Sequence, residues 1–133
     1  EDLAMGRCYI PSPALSEIKL TPTDLLDHRN IESFRPLYYQ YLNLTASHLE
    51  AAIEYIEMLP HSQFRLRGAC MLPVLIAYRT LERLRDGNVL DPAERIKISR
   101  EDINQVLKQV ALAVPFPGSS TKLLNKARIT GRS

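Results

Sequence analysis

The segment FRLRGACMLPVLIAYRTLERL, residues 64–84, determines how the rest of the chain is arranged. Its apolar residues recur at helical spacing, which predicts a buried helix. Pro73 stands inside this helix and should remove one backbone hydrogen bond and bend it. Arg65 and Arg67 form a basic entrance to the helix, and Tyr78 brings a polar aromatic group to its inner face. Such a helix can serve as architecture alone or as the wall of a cavity.

Helical spacing also dominates the chain on both sides of this segment. The longest periodic run covers residues 30–58 and ends before Pro60. Ser99 followed by Asp102 resembles a capping box and begins another helix, and a short final helix is predicted over about residues 120–129. We find no convincing strand pattern and no repeat. The sequence therefore predicts an all-α fold, an antiparallel bundle of roughly four or five helices.

The ends of these elements carry their own signals. Ser62 is the expected cap of the helix over residues 64–84. Thr21-Pro22-Thr23-Asp24 predicts the start of a short helix, with proline at its first position. Tyr9 to Pro13 should be extended or turning, because proline disfavours helix in the residue before it.

Bulk properties exclude several classes of protein. A chain of 133 residues fits one domain, and a net charge of +2 gives no sign of a nucleic-acid partner. Cys8 and Cys70 are far apart and are expected to be free thiols in a reducing compartment, hence a cytoplasmic location. No apolar run is long enough to span a bilayer. Beyond Asp102 every charged residue is basic, which is typical of a solvated end and also compatible with peripheral contact with an anionic membrane.

Three places in the chain carry charged or polar residues that could together bind one ligand. Asp2 and Arg7 flank a predicted helix end, Tyr78 interrupts an apolar face, and Arg95 and Lys97 alternate with isoleucines. A carboxylate suits Mg²⁺, and arginine, lysine and tyrosine suit phosphate oxygens, so together these residues fit a diphosphate. Surface ion pairs would use the same residue types.

Three blocks of the sequence resemble one known family. EDLAMGRCYIP, residues 1–11, is similar to the tail of the second aspartate-rich motif of squalene and phytoene synthases. RLRGACMLPVLIAYRTLERL, residues 65–84, resembles their late core helix, and GNVLDPAERIKISREDINQVL, residues 87–107, resembles the segment after it. The resemblance runs to about Arg128. Pro-Phe-Pro-Gly at 115–118 and Lys-Ala-Arg at 126–128 make it strongest for bacterial squalene synthases.

The resemblance implies a fold and a reaction. The family's fold is an all-α bundle of the isoprenoid-synthase type around a deep apolar cavity. Its enzymes join two prenyl diphosphates head to head, with Mg²⁺ assisting diphosphate departure, to give a cyclopropyl diphosphate. Squalene synthases then rearrange and reduce this intermediate with NADPH, whereas phytoene and dehydrosqualene synthases release a proton instead. We therefore expect a prenyl diphosphate, farnesyl diphosphate in the case of squalene synthase, as the substrate.

The resemblance also assigns roles to individual positions. Asp2 corresponds to the last aspartate of the second motif and hence to a Mg²⁺ ligand, and Arg7 supports the same region. Tyr78 and Arg95 match a tyrosine and an arginine that contact diphosphate, while Lys97 matches a basic position that holds phosphate or the reductant. The residues expected to line or back the prenyl cavity are Ala69, Cys70 and the run from Leu72 to Ala77, which includes Pro73, Val74 and Ala77.

Two expectations remain side by side at this point. The first aspartate-rich motif is missing, so residues 1–133 should form a single helical domain that is the C-terminal half of a larger synthase, inactive without its N-terminal half. Within that family, phytoene or dehydrosqualene synthase is the alternative to squalene synthase. From a different class comes a non-catalytic helical interaction module, which would use the tyrosines of the long helix as a docking face: Tyr38, Tyr39, Tyr41 and Tyr55.

Overall fold

The computed structural model describes residues 2–94 and 96–132, leaving aside the side chains at 117, 131 and 132. Regular structure in these ranges is helical, and no strand occurs in them. The α-helices are α1 Ser12–Glu17, α2 Ile31–Met58, α3 Phe64–Asp86, α4 Arg100–Ala113 and α5 Pro117–Arg132, with short 3₁₀ turns at Leu3–Met5, Asp24–Leu26 and His28–Asn30. The all-α fold predicted from the sequence is confirmed.

Helices α2 and α3 form an antiparallel pair, and one end of the pair is capped by a buried cation. The guanidinium Nη1 of Arg67 donates to the carbonyl oxygens of Ile56, at 2.7 Å, and Leu59, at 2.9 Å. Its Nη2 donates to Ser120 Oγ in α5 at 3.3 Å. Placing Arg67 beside Arg65 at a basic entrance is wrong, because Arg67 is fully buried whereas Arg65 is exposed. The last carbonyls of a helix have few backbone donors. The carbonyl oxygen of Ile56 accepts from the N–H of Leu59, and Arg67 adds a donor to it and to the carbonyl oxygen of Leu59.

Two tyrosines cap the opposite end of the same pair. Tyr38 Oη donates to the carbonyl oxygen of Leu84 at 2.9 Å, and Tyr39 Oη donates to that of Arg85 at 3.0 Å. Arg85 returns a hydrogen bond from Nη2 to Asn43 Oδ1 at 2.9 Å. Each helix therefore supplies side-chain donors to the carboxyl end of the other.

Helices α4 and α5 pack over α3 and complete the main apolar core. Helix α3 approaches α4 closely at Gly68, where a Cβ atom would lie 3.4 Å from a methyl group of Val114. Tyr78 is 2% exposed within this core, as its position on an apolar face predicted. The bundle core consists of Leu42, Ala46, Ile53, Ile56, Met71, Val74, Leu75, Tyr78, Leu81, Val106, Val110, Val114 and Leu124.

A second, smaller apolar cluster joins the N-terminal segment to the first turns of α2. This N-terminal core consists of Leu15, Leu25, Ile31, Phe34, Leu37 and Leu90. The sequence predicts that Tyr9 to Pro13 is extended or turning, and residues 9–11 do lie outside any helix. It does not predict helix α1. In the structure α1 begins at Ser12 with Pro13 in its first turn, where the missing N–H has no helical partner to lose.

Helix ends were predicted with mixed success. Gln63, not Ser62, is the N-cap residue of α3, and it makes no side-chain cap hydrogen bond. The final helix begins at Pro117, before the predicted residue 120, because proline suits a first helical turn. The capping box between Ser99 and Asp102 is confirmed in both directions.

Candidate functional site

Three helix faces enclose a cleft beside Tyr78. Helix α3 presents positions 75, 78, 79 and 82, and α5 presents 123, 126, 127 and 130, each set at the spacing of one helical face. Helix α4 adds 106 and 109. The cleft measures about 270 Å³. Its apolar wall comes from Leu75, Val106, Leu123 and Ala127.

Polar side chains occupy the rest of the cleft lining. They are Tyr78, Arg79, Glu82, Gln109, Lys126 and Thr130. Arg79 and Glu82 form an ion pair, with 3.6 Å between Nη1 and Oε2 and each side chain 38% exposed. The lining contains two cationic side chains, Arg79 and Lys126, and one carboxylate, Glu82, so its net charge is +1. Sequence reasoning identified Tyr78 but missed Arg79, Gln109, Lys126 and Thr130, although the spacing of Leu123, Lys126, Ala127 and Thr130 marks one face of α5.

A polar hollow of about 200 Å³ adjoins the cleft at the carboxyl end of α3. Arg79 and Glu82 line both, and Arg83 here contacts the carboxylate of Asp102. Hydrogen bonds from the hydroxyl and backbone N–H of Ser99, together with the positive charge of Arg83, lower the pKa of Asp102. Four charged side chains that line the hollow are thus paired with one another, Arg79 with Glu82 and Arg83 with Asp102.

Lys97 is hydrogen-bonded through its backbone to Arg83, one of the residues that line this hollow. Its backbone carbonyl oxygen accepts a hydrogen bond from Arg83 Nη1 at 3.1 Å, which fixes the link before α4 to the end of α3. The side chain of Lys97 is exposed. Arg95, the other basic residue expected in this link, lies outside the described residues.

Asp2 and Arg7 lie in the N-terminal segment, apart from the bundle core. The 3₁₀ turn Leu3–Met5 ends at Gly6, whose φ of 77° is left-handed, and this reversal brings Arg7 back toward Asp2. Arg7 Nη1 lies 3.9 Å from Asp2 Oδ1, and the two side chains are 63% and 52% exposed. The structure therefore pairs these two predicted residues with each other.

The described carboxylates do not fit a complete Mg²⁺ site. No group of three or more histidine, cysteine, aspartate or glutamate side chains that could hold a metal occurs in residues 2–94 and 96–132. Asp2 is a single carboxylate with an arginine beside it. Mg²⁺ requires near-octahedral oxygen coordination, so Asp2 alone cannot supply it.

The predicted cavity residues spread around α3. Leu75 lines the cleft, whereas Ala69, Cys70, Pro73, Val74 and Ala77 do not. Val74 is buried in the bundle core. Cys70 and Ala77 are half-buried, while Ala69 and Pro73 are exposed on the outer side of the helix.

Within the described ranges, none of the helices has the length and apolar character that crossing a membrane requires.

A family comparison accounts for most of the chain. The sequence profile of the squalene/phytoene synthase family matches residues 1–102. No curated protein and no solved structure matches the chain. The matched range contains α1, α2, α3 and the start of α4, and the observed architecture is consistent with the all-α isoprenoid-synthase type. The chain belongs to the squalene/phytoene synthase family, whose members are prenyltransferases of the head-to-head type.

Proposed function

We propose that this chain is part of a squalene synthase, which condenses two farnesyl diphosphates head to head through a cyclopropyl diphosphate. The observation that carries the proposal is the family match over residues 1–102. Pro-Phe-Pro-Gly at 115–118 and Lys-Ala-Arg at 126–128 favour squalene synthase over the phytoene and dehydrosqualene enzymes. The exposed Tyr55 and half-buried Tyr38 and Tyr39 give the docking-module alternative little support, because two of its four tyrosines cap α3.

Diphosphate departure needs positive charge and hydrogen-bond donors where negative charge develops. In this proposal Tyr78, Arg95, Lys97 and Arg7 supply those donors to the substrate. Tyr78 is positioned by its burial in the bundle core, and Lys97 by the hydrogen bond that Arg83 donates to its backbone. Arg7 would exchange its exposed ion pair with Asp2 for a phosphate oxygen, at small cost because exposed ion pairs are weak.

Mg²⁺ is proposed as a cofactor, and the described residues supply only part of its coordination. Asp2 would provide one carboxylate oxygen, and substrate phosphates, water and further carboxylates would complete the coordination. The ion, when bound, supplies a Lewis acid for the leaving diphosphate. Asp2 is exposed enough to reach such a ligand set.

The outer side of α3 is proposed to receive further helices of the same synthase. Ala69 and Pro73 are small or compact and exposed, and Cys70 and Ala77 beside them are half-buried. Small side chains leave room for a second layer, and an exposed apolar face on a long core helix is costly in water. Covering this face would convert it into the wall of a prenyl cavity.

The experiment uses the complete reading frame that contains this chain. Purified protein is incubated with farnesyl diphosphate and Mg²⁺, with and without NADPH, and the hydrocarbons are identified by mass spectrometry. Squalene that forms only with NADPH supports the proposal. A more unsaturated C30 product that forms regardless of NADPH favours dehydrosqualene synthase. A C40 product that forms when a C20 prenyl diphosphate replaces farnesyl diphosphate favours phytoene synthase. Folded protein that consumes no prenyl diphosphate would remove the proposed function.

A further inference from the structure

One end of the bundle carries a cluster of exposed apolar side chains. Helices α2 and α4 end here, and α3 and α5 begin here, as the contacts of Arg67 and Gly68 described above show. We define residues 58–66 and 111–122 as the apolar tip. Its large exposed apolar residues are Met58 at 79%, Phe64 at 49%, Leu66 at 47%, Leu112 at 75% and Phe116 at 64%.

The charged side chains of the apolar tip are all basic. It contains no aspartate or glutamate, and its full charges are those of Arg65 and Lys122, with His61 as a third titratable group. Arg65 and Lys122 are exposed and form no ion pair with a described residue. The acid next to the tip, Glu57, accepts a hydrogen bond from Thr121 Oγ1 at 3.2 Å. A surface that combines exposed apolar groups with unpaired cations complements an anionic surface.

Proline and internal hydrogen bonds reduce the number of free backbone donors at the apolar tip. Three of its residues are prolines, at positions 60, 115 and 117, and proline has no N–H group. Several other N–H groups already donate to carbonyl oxygens of the bundle, those of residues 59, 63, 116, 119 and 120. An N–H group without a partner is costly in lipid. The backbone of the tip can therefore approach a hydrocarbon layer at lower cost than an open loop.

We infer that the apolar tip docks on an anionic lipid bilayer. Its apolar side chains enter the headgroup region, and Arg65 and Lys122 lie beside lipid phosphates. The five apolar side chains come from the end of α2, the start of α3 and the α4–α5 junction, so they do not form the stripe that a partner helix would fit. Neither of the two cavities described above lies at this end. A bilayer needs no matching shape, only apolar area and charge of opposite sign.

The inference does not depend on the proposed function. Lys97, one of the residues proposed to hold diphosphate, is bonded to the carboxyl end of α3, at the opposite end of the bundle. Docking through the tip would leave that end free of the bilayer. The basic residues after Asp102 are compatible with membrane contact by their charge, but the tip includes only one of them, Lys122.

The first test measures how the full chain sediments with vesicles of phosphatidylcholine alone and of equal parts phosphatidylcholine and phosphatidylglycerol. Wild type should bind the anionic vesicles more tightly, and Leu112→Ser should lower its partition coefficient by about tenfold. Leu44→Ser is the matched control, because Leu44 is 53% exposed in the middle of α2, away from the tip. It should leave binding within about twofold. Equal losses in the two variants would overturn the inference.

A second pair of variants tests the charges of the tip. Arg65→Gln combined with Lys122→Gln should weaken binding to anionic vesicles by about fivefold for each charge removed. Lys19→Gln combined with Arg100→Gln removes the same charge from exposed positions in the N-terminal segment and at the start of α4, away from the tip. Equal weakening by the two double variants would show only attraction by net charge and contradict docking through the tip.

A tryptophan probe reports which surface enters the lipid. The chain contains no tryptophan, so one substituted residue gives the whole signal. Emission of Phe116→Trp should move to shorter wavelength when anionic vesicles are added and should be quenched by lipids brominated in their acyl chains. Tyr9→Trp, at a position 78% exposed in the N-terminal segment, should show neither change.

Three outcomes of these measurements would rule out membrane docking through the tip. They are wild-type protein that binds neither kind of vesicle, bound Phe116→Trp with unchanged emission, and an emission shift that follows protein concentration without vesicles. The last result would assign the apolar tip to contact with a second copy of the chain.

Discussion

The two ends of the α2–α3 pair satisfy the same chemical need by different means. At the end near the α2–α3 turn, the fully buried Arg67 donates to two carbonyl oxygens of α2. At the opposite end, the half-buried phenols of Tyr38 and Tyr39 each donate to one carbonyl oxygen of α3. Removing a buried cation lowers stability strongly, because its buried acceptors lose a donor that water does not easily replace. When a phenol at the edge of solvent is removed, water can take over its hydrogen bond. The first end should therefore be the more sensitive to substitution.

Arg67→Met tests the cation end and should have the largest effect. The carbonyl oxygens of Ile56 and Leu59 and the hydroxyl of Ser120 each lose one donor beside a fully buried position, which should lower the free energy of unfolding by roughly 3–5 kcal/mol. Urea unfolding followed by circular dichroism measures this value. Arg65→Met, on the exposed side of the same turn, is the control and should change stability by less than about 0.5 kcal/mol. Similar losses in the two variants would contradict the capping role.

Tyr38→Phe combined with Tyr39→Phe tests the tyrosine end. Each substitution keeps the ring and removes one hydrogen bond, so the pair should cost about 1–3 kcal/mol in total. Hydrogen exchange should increase in the last turn of α3 and remain unchanged near Arg67. Tyr55→Phe, whose ring is 59% exposed, serves as the matched control. A double variant that is destabilised as much as Arg67→Met would reverse the ranking of the two ends.

Alkaline pH should weaken the tyrosine end selectively. Burial raises the pKa of Tyr38 from its usual 10 to about 12. Because the folded pKa lies above the unfolded value, this stabilisation is complete below about pH 10 and is lost as the pH rises through about 12. The effect should be smaller than that of the double substitution, since the phenol is only half-buried. Tyrosinate absorbance gives the pKa, and stability that falls equally in wild type and Tyr38→Phe would contradict it.

Acid pH should produce the smallest effect, just before α2 begins. Hydrogen bonds from the side chain and backbone of Arg29 lower the pKa of Asp27 from 3.8 to about 2. The folded pKa lies below the unfolded value, so the contribution is present above about pH 4 and is lost as the pH falls through about 2. Both groups are exposed, and solvent screens the pair. Carboxyl NMR titration should detect the shift in wild type and a smaller shift in Arg29→Gln, in which the backbone N–H of residue 29 still donates to Asp27. An unshifted carboxyl in wild type would contradict this prediction.

Local patterns predicted much of this fold, and tertiary contacts account for most of what they missed. The periodicity of α2 and the capping box of Ser99 involve residues within one or two turns, and both agree with the structure. Arg67 could not be interpreted from its neighbours, because its acceptors belong to another helix. For the same reason Tyr78 could be assigned to an inner face, while the partners of that face on α5 could not. Family resemblance supplied the chemistry, which periodicity alone does not contain.

The reciprocal capping of α2 and α3 has a consequence for the order in which the pair forms. Arg67 reaches carbonyls only 8 and 11 residues away along the chain, whereas Tyr38 and Tyr39 each reach across 46 residues. Closing a short loop costs less chain entropy than closing a long one, so the turn end should form early in folding and the tyrosine end late. Arg67→Met should then slow refolding, and Tyr38→Phe should mainly accelerate unfolding. Contacts between the two helices would in this way form first beside the turn that connects them and last at the opposite end of the pair.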